Sequence, residues 1–212
     1  MKTYRQLLED IELVSGIGRP TRYDMETSQD EFDYGRKKNL GKIHKDYSLH
    51  KGEFGDFFIH HDESGKVVGH ITNDAPHKHK TLKVGLTTID PKHTKKKIGH
   101  SLAVAAYKHL HKTGHTIHSG SEQSVGGASV WRELMKDPST KRHVHAVHRP
   151  FGGTHRSLGQ ASKLQTGDIW TSGSGETRTA GRRKGIRMHK YGSPESERAQ
   201  DVQLVLKPKE KK

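Results

Sequence analysis

The residues best placed to do chemistry join a run of alternating apolar residues to a helix-like segment. Ile89-Asp90-Pro91 is followed closely by Lys96-Lys97-Ile98-Gly99-His100-Ser101. A strand that enters a helix through a glycine turn directs several backbone N–H groups one way, and the helix dipole adds positive charge there. This turn therefore predicts a pyrophosphate site, to which Gly99 would allow close approach. A solvated loop is the alternative, because the glycine spacing is neither that of a P-loop nor that of a dinucleotide fingerprint.

The elements that must position this turn lie within residues 51–150, where the pattern predicts a small α/β domain. Two apolar runs around the turn at 62–65 predict a hairpin, and alternation from Leu82 predicts a further strand. Helical spacing from Gly99 leads to Gly114, a residue typical of a helix C-terminus. The predicted strands are 54–61, 66–72, 82–89, 115–118 and 143–148, and the predicted helices are 99–112 and 127–136.

The flanking segments differ in character from this domain. Residues 1–14 have the spacing of an amphipathic helix, and residues 19–46 predict little regular structure. Residues 151–199 are rich in glycine, serine and arginine and predict a long, partly disordered arm. Residues 202–206 predict a last strand that returns to the sheet. We therefore expect a leader and polar linker at 1–50, a domain at 51–150 and a basic arm at 151–212.

Composition excludes several classes of protein. The 212 residues contain no cysteine, which excludes disulfide scaffolds, thiol nucleophiles and cysteine-based metal sites. No apolar run approaches the ~20 residues of a membrane span, so we expect a soluble intracellular protein without a membrane partner. The formal net charge of +14 divides as 0 over residues 1–50, +7 over 51–150 and +7 over 151–212. This distribution predicts an anionic partner, either a phosphorylated cofactor or nucleic acid.

The order of predicted elements resembles the GCN5-related N-acetyltransferase (GNAT) family over about residues 54–148. In that family a hydrophobic-x-Pro unit precedes an Arg/Gln-x-x-Gly-x-Gly/Ala motif that binds acetyl-CoA. Ile89-Asp90-Pro91 and Lys96-Lys97-Ile98-Gly99-His100-Ser101 occupy those positions, with Lys96 in place of Arg/Gln and Ser101 in place of the last Gly/Ala. The resemblance implies a mixed, mostly antiparallel central sheet flanked by helices. It implies acetyl-CoA as cofactor, with cofactor-binding residues Ile89, Lys96, Lys97, Ile98, Gly99, His100 and Ser101.

The resemblance also implies direct transfer of an acetyl group to an amine in a cleft between strands 82–89 and 115–118. The candidates for the base that deprotonates the amine are His118 and Glu122. The family acid is a tyrosine at the start of the next helix, where this chain has Ser129 and Trp131. Either Ser129 or water protonates the leaving thiolate, or the fold is retained without acetyl transfer. We expect Trp131 to be a core residue of that helix.

Two further segments resemble proteins of tailed bacteriophages. Residues 117–134 are similar to a strand, loop and helix of phage acetyltransferase-like proteins. Residues 1–9 resemble prohead leader peptides cleaved after Leu/Ile-x-Glu, although an ordinary packed helix is the alternative. The resemblance implies a protein of the host cytoplasm that is packaged in the phage head if the leader is functional. An alternative function is therefore that of a nucleic-acid-associated internal virion protein with an inert core.

Basic residues at 178–190 favour nonspecific contact with phosphate backbones, and a solubilising tail is the alternative. These residues are Arg178, Arg182, Arg183, Lys184, Arg187 and Lys190. The His-x-His pairs at 77/79, 109/111 and 143/145, and the adjacent His60 and His61, have no acidic partner at a convincing spacing. We therefore predict no metal site and interpret the eighteen histidines as mostly solvated.

Overall fold

The computed structural model describes residues 22–75, 80–90, 92–93, 98–120, 125–148, 156–163 and 202–208. They form an α/β fold with a mixed, mostly antiparallel sheet flanked by helices, as predicted. Contacts divide the chain into two units. The first contains residues up to His77 together with Gly85–Ala106, and the second contains Lys78–Val84 and the chain from Tyr107. None of the helices described has the length and apolar character needed to cross a membrane.

The first unit is an antiparallel sheet covered on one face by a helix. Its elements are α1 (Arg22–Tyr34), β1 (Lys37–His44), β2 (Tyr47–Gly52), β3 (Phe57–His61), β4 (Lys66–Asn73) and the second half of β5 (Thr81–Ile89). The strands β1 to β4 pair in sequence order, and β5 follows β4. Phe57, Phe58 and Ile59 are all buried, so β3 is covered on both faces. The hairpin of β3 and β4 confirms the prediction, and Gly65 in its turn has a φ of +66°.

The prediction of little regular structure at 19–46 is wrong, because α1 and β1 occupy most of that segment. The inward face of α1 carries Met25, Ser28, Gln29 and Phe32, which have helical spacing. Only two of these four side chains are apolar, so hydrophobic periodicity did not reveal the helix. Gln29 instead binds the sheet by accepting a hydrogen bond from Val67 N to its Oε1 at 2.7 Å.

The second unit has the strand order β5-β6-β9-β7-β8. Its elements are the first half of β5, β6 (Thr116–His118), α3 (Val125–Lys136), β7 (Val144–His148), β8 (Arg156–Gln160) and β9 (Val202–Leu206). β5 and β6 are parallel, whereas β9 lies between β6 and β7 and is antiparallel to both. The last strand predicted at 202–206 is therefore confirmed. The arm predicted at 151–199 needs a partial correction, because β8 and a short 3₁₀ turn at Ala161–Lys163 lie within it.

The crossover helix α2 (Ile98–Lys112) joins β5 to β6 and agrees with the predicted helix. Gly114 ends it with a φ of +86°, as the sequence predicts. Gly114 N donates to His111 O and His115 N to Leu110 O, at 3.1 and 2.9 Å, which is the Schellman pattern. The predicted helix at 1–14 and the basic residues at 178–190 lie outside the described residues.

Candidate functional site

The turn between β5 and α2 is organised by Asp90. Asp90 N donates to Val68 O at 2.9 Å, which ties the end of β5 to β4. The Asp90 carboxylate accepts from Lys92 N at 2.8 Å, and His93 N donates to Asp90 O at 2.9 Å. An aspartate that binds the backbone two residues later reverses the chain direction at the end of a strand. Asp90 therefore turns the chain out of β5 in the direction of the helix.

Only some of the residues predicted to bind phosphate lie in the part of the chain that the structure describes. Ile89 is the buried last residue of β5, and Ser101 is exposed on α2. Ile98, Gly99 and His100 form the first three residues of α2, whereas Lys96 and Lys97 lie outside the described residues. The first turn of α2 contains no acidic residue, so no carboxylate of that turn competes for its N–H groups. The anion site predicted at this helix start stays a prediction.

The backbone N–H groups in the second half of β5 point alternately toward β4 and away from it. Leu86 N donates to Thr72 Oγ1 at 2.7 Å, and Asp90 N donates toward β4 as described above. Because successive residues of a strand direct their N–H groups to opposite edges, the N–H groups of Thr87 and Ile89 point away from β4. Gly85 begins this stretch, and a Cβ there would lie 2.2 Å from Asp74 Oδ1. A side chain at this position would therefore have to displace the carboxylate of the exposed Asp74.

The predicted catalytic residues belong to the second unit. His118 is the last residue of β6, is half-buried, and pairs with Lys83 of β5 and Val205 of β9. Ser129 is half-buried on α3, and Glu122 lies outside the described residues. β5 and β9 thus fix the backbone of His118 from both sides.

Ser119, which sequence reasoning did not select, fastens β6 to β9. Its side chain is 2% exposed, and its hydroxyl accepts from Leu204 N and donates to Gly120 O, both at 2.9 Å. Ser119 N also donates to Leu204 O at 2.8 Å. A buried serine directly after a short strand is the sequence signal that could have identified this contact.

The two large aromatic residues near the predicted acid position are core residues. Trp131 is 1% exposed, which confirms its predicted role, and Tyr107 is 3% exposed. Their rings meet edge to face with centroids 5.9 Å apart. Tyr107 is therefore not available at a surface where it could supply the tyrosine that α3 lacks.

In the first unit, three histidines ten residues apart meet beneath α1. His50, His60 and His70 lie on β2, β3 and β4, and the hairpin register places them on the face that α1 covers. The ring of Phe32 stacks on His60 and meets His50 edge to face, with centroids 5.0 and 5.1 Å apart. The prediction that the histidines are mostly solvated is wrong for these three, since all are at least half-buried.

A hydrogen-bonded network links two of these histidines to Asp62. The Ser48 hydroxyl donates to Asp62 Oδ1 at 2.6 Å and accepts from His50 Nε2 at 3.0 Å. His60 Nδ1 lies 3.2 Å from the same Asp62 oxygen, and Lys42 pairs with the carboxylate. Hydrogen bonds from Lys42 and Ser48 hold the pKa of Asp62 well below its usual range. Burial, followed by the nearby His60, lowers the pKa of His50.

A second chain of hydrogen bonds joins Ser28, His70 and Asp56. Ser28 Oγ lies 2.9 Å from His70 Nδ1, and His70 Nε2 lies 3.0 Å from Asp56 Oδ2. Although this order of groups is that of a hydrolytic triad, Ser28 is only 4% exposed. A nucleophile must reach its substrate, so these hydrogen bonds form a structural bridge between α1 and the sheet rather than a hydrolytic site.

The two histidines of the pair 109/111 separate, as helix geometry requires. On α2, His109 and His111 diverge, and the ring of His111 instead lies 4.9 Å from that of His143. Burial, with Lys207 and His143 nearby, lowers the pKa of His145. The one group of three metal-ligating side chains among the described residues is Glu31, Asp56 and His70, which the sequence did not indicate.

Comparison of this chain with protein-family models, with curated proteins and with solved structures finds no match. Its function must therefore be argued from its own residues.

Proposed function

We propose that this chain is an N-acetyltransferase that uses acetyl-CoA and has a GNAT-like core. The observation that carries the proposal is the β5-α2-β6 crossover. Its two parallel strands pair over only Thr81↔Thr116, Leu82↔Ile117 and Lys83↔His118. β6 is only these three residues long, and β5 continues for another six residues, from Val84 to Ile89, beyond its described pairing with β6. The resemblance implies an acetyl-CoA cleft at the place where pairing between these parallel strands ends.

Two further features support this proposal. β9 lies between β6 and β7, so the last strand of the chain completes the sheet beside the strand that carries His118. The N-terminus of α2 follows the end of β5, where N–H groups and the helix dipole favour a pyrophosphate. The backbone N–H group of Ile89, which points away from β4, would then contact the thioester end of the cofactor.

The reaction requires three events. The nitrogen of a neutral amine attacks the thioester carbonyl carbon, and His118 or Glu122 takes the proton that the nitrogen loses. Backbone N–H groups stabilise the charge on the carbonyl oxygen. The C–S bond then breaks, and Ser129 or water gives the thiolate its proton, which releases the CoA thiol and the amide.

Calorimetric titration of the full chain with acetyl-CoA tests the cofactor site. We expect Gly99→Asp to weaken binding at least tenfold, because a carboxylate at the helix start repels the pyrophosphate. Gly65→Asp is the matched control: it makes the same change in an exposed turn with nothing within 4 Å of the new Cβ, and aspartate tolerates its positive φ. Absence of binding by the unaltered chain would overturn the proposal.

A second candidate function is that of a nucleic-acid-associated virion protein with an inert core, as the leader-like N-terminus suggests. It is favoured by the burial of Tyr107 and by the absence of tyrosine from α3. It is also favoured by the net charge of +7 over residues 151–212. Its test is DNA affinity, which should fall steeply with salt and lose part of that salt dependence when the basic residues at 178–190 are neutralised. Purified virions should contain the chain beginning at Asp10, and its absence from particles would refute packaging.

A further inference from the structure

A pocket of about 350 Å³ lies in the first unit, between the end of α1 and the turn that joins β2 to β3. This volume is in the range of small-molecule sites, roughly 300–1,000 Å³. The charged residues among the eight described residues that line it are all acidic: Glu31, Glu53 and Asp56. A pocket with only carboxylates is unusual in a chain of net charge +14, so its charge points to a cationic ligand.

The walls of this pocket are aromatic. Tyr34 and Phe54 are 90% and 78% exposed and are the large apolar side chains left in solvent among the described residues. Phe58 is buried beneath them, and a Cβ at Gly52 would lie 2.8 Å from its Cε2 atom. Glycine at position 52 therefore leaves an edge of the Phe58 ring open to the pocket. Exposed apolar side chains that line one pocket form a patch of the kind that marks ligand-binding grooves.

The acidic side of the pocket is fixed by the sheet. Asp56 Oδ1 accepts from Asn73 N at 2.9 Å, and Asp56 Oδ2 lies 3.0 Å from His70 Nε2. A carboxylate oxygen of Glu31, one of Asp56 and a ring nitrogen of His70 all lie within 4.8 Å of one another. Two carboxylates this close repel each other, and a cation between them relieves that repulsion.

We infer that this pocket binds an alkylammonium group. Its charge pairs with Glu31 and Asp56, while its methylene groups pack between the rings of Tyr34 and Phe54, which also attract the cation through their faces. A metal ion fits less well, because both ring nitrogens of His70 already have partners, Ser28 and Asp56, and ligation would break one of these contacts. The inference is independent of acetyl transfer, since the pocket needs neither acetyl-CoA nor His118.

NMR titration of the ¹⁵N-labelled full chain with butylammonium chloride tests the inference. The amide signals of Gly35, Gly52 and Gly55 should shift saturably, whereas n-butanol and sodium butyrate, which have the same alkyl chain, should shift them little. The alkylammonium group could belong to a lysine side chain of a protein or to a free polyamine. Titration with N-acetyl-lysine methylamide and with 1,4-diaminobutane distinguishes these two sources. Tighter binding of the first indicates a protein lysine, and tighter binding of the second indicates a free polyamine.

Two variants and a control link binding to these side chains. Glu31→Gln and Phe54→Leu change exposed positions and should each raise the dissociation constant about fivefold. Glu63→Gln, at an exposed glutamate in the next turn, should leave it unchanged. Equal shifts with butanol would show an apolar pocket without charge recognition and would overturn the inference. Broadening of these signals by Mn²⁺ without any response to butylammonium would also overturn it, in favour of a metal site.

Discussion

Replacement of Ser119 by alanine tests how β9 is held beside the strand that carries His118. The change removes the hydroxyl that accepts from Leu204 N and leaves that N–H without an acceptor in a buried position. Loss of the hydrogen bond costs about 1 kcal/mol, and a buried donor left unpaired costs about 1–3 kcal/mol. Because the cost of the unpaired donor already includes part of the cost of the lost hydrogen bond, the two values do not add. We therefore expect the free energy of unfolding to fall by about 2 kcal/mol.

Urea unfolding followed by circular dichroism measures this loss. With an m-value of about 2 kcal/mol/M, the midpoint should fall by about 1 M. The matched control is Ser64→Ala, which removes a hydroxyl whose contact with His61 Nδ1 at 2.8 Å is exposed to water; it should change stability by less than about 0.5 kcal/mol. If Ser119→Ala costs no more than the control, the Leu204 N–H finds another acceptor, and the proposed fastening of β9 by this hydroxyl is refuted.

Three further predictions concern packing and pH. Gly69→Ala should cost about 1–3 kcal/mol, because the new Cβ would lie 2.7 Å from Ile89 Cδ1, and adding Ile89→Val should restore part of the loss in urea unfolding. Asp137→Asn should destabilise the chain at pH 7, because a hydrogen bond from Lys108 lowers the Asp137 pKa to about 2. The difference in free energy of unfolding between the variant and the unaltered chain should narrow as pH falls from 4 toward 2. His50→Gln should lose less stability than the unaltered chain between pH 7.5 and 5.5, since burial lowers the His50 pKa and protonation opposes folding.

Each of these predictions has an outcome that contradicts it. A double variant no more stable than Gly69→Ala alone would mean that Ile89 is not the obstructing side chain. A stability gap for Asp137→Asn that is as large at pH 3 as at pH 7 would rule out the charged form of Asp137 as its cause. Parallel stability curves for His50→Gln and the unaltered chain would show that His50 does not contribute to the acid sensitivity of folding.

The sequence predicts correctly those elements whose signals lie within one short segment of the chain. β3 and β4 alternate around a glycine turn, and α2 ends at Gly114. In each case, apolar spacing and a helix or strand breaker occur within one segment of chain. β9 was also predicted, because Val202, Leu204 and Leu206 share one face. Its place between β6 and β7 was not, since pairing partners distant in sequence leave no local signal.

The helix α1 was missed because its buried face is polar. Ser28 binds His70, and Gln29 binds the β4 backbone, so the side chains that complement α1 lie on strands some forty residues away. Amphipathic analysis counts such residues as exposed and predicts no helix. The site is harder to predict for the same reason: Glu31 and Asp56 meet only because α1 lies over the β2–β3 turn.

The histidines connect these observations to the charge of the chain. Eighteen histidines add no charge at neutral pH, but acidification would add positive charge to a chain that already carries +14. Beneath α1, burial lowers the pKa of His50, whereas His60 and His70 lie 3.2 and 3.0 Å from the carboxylates of Asp62 and Asp56. Two carboxylates therefore contact the layer of histidines between α1 and the sheet. Since Asp56 also lines the acidic pocket, a cation bound there would contact the same carboxylate that lies 3.0 Å from His70 Nε2.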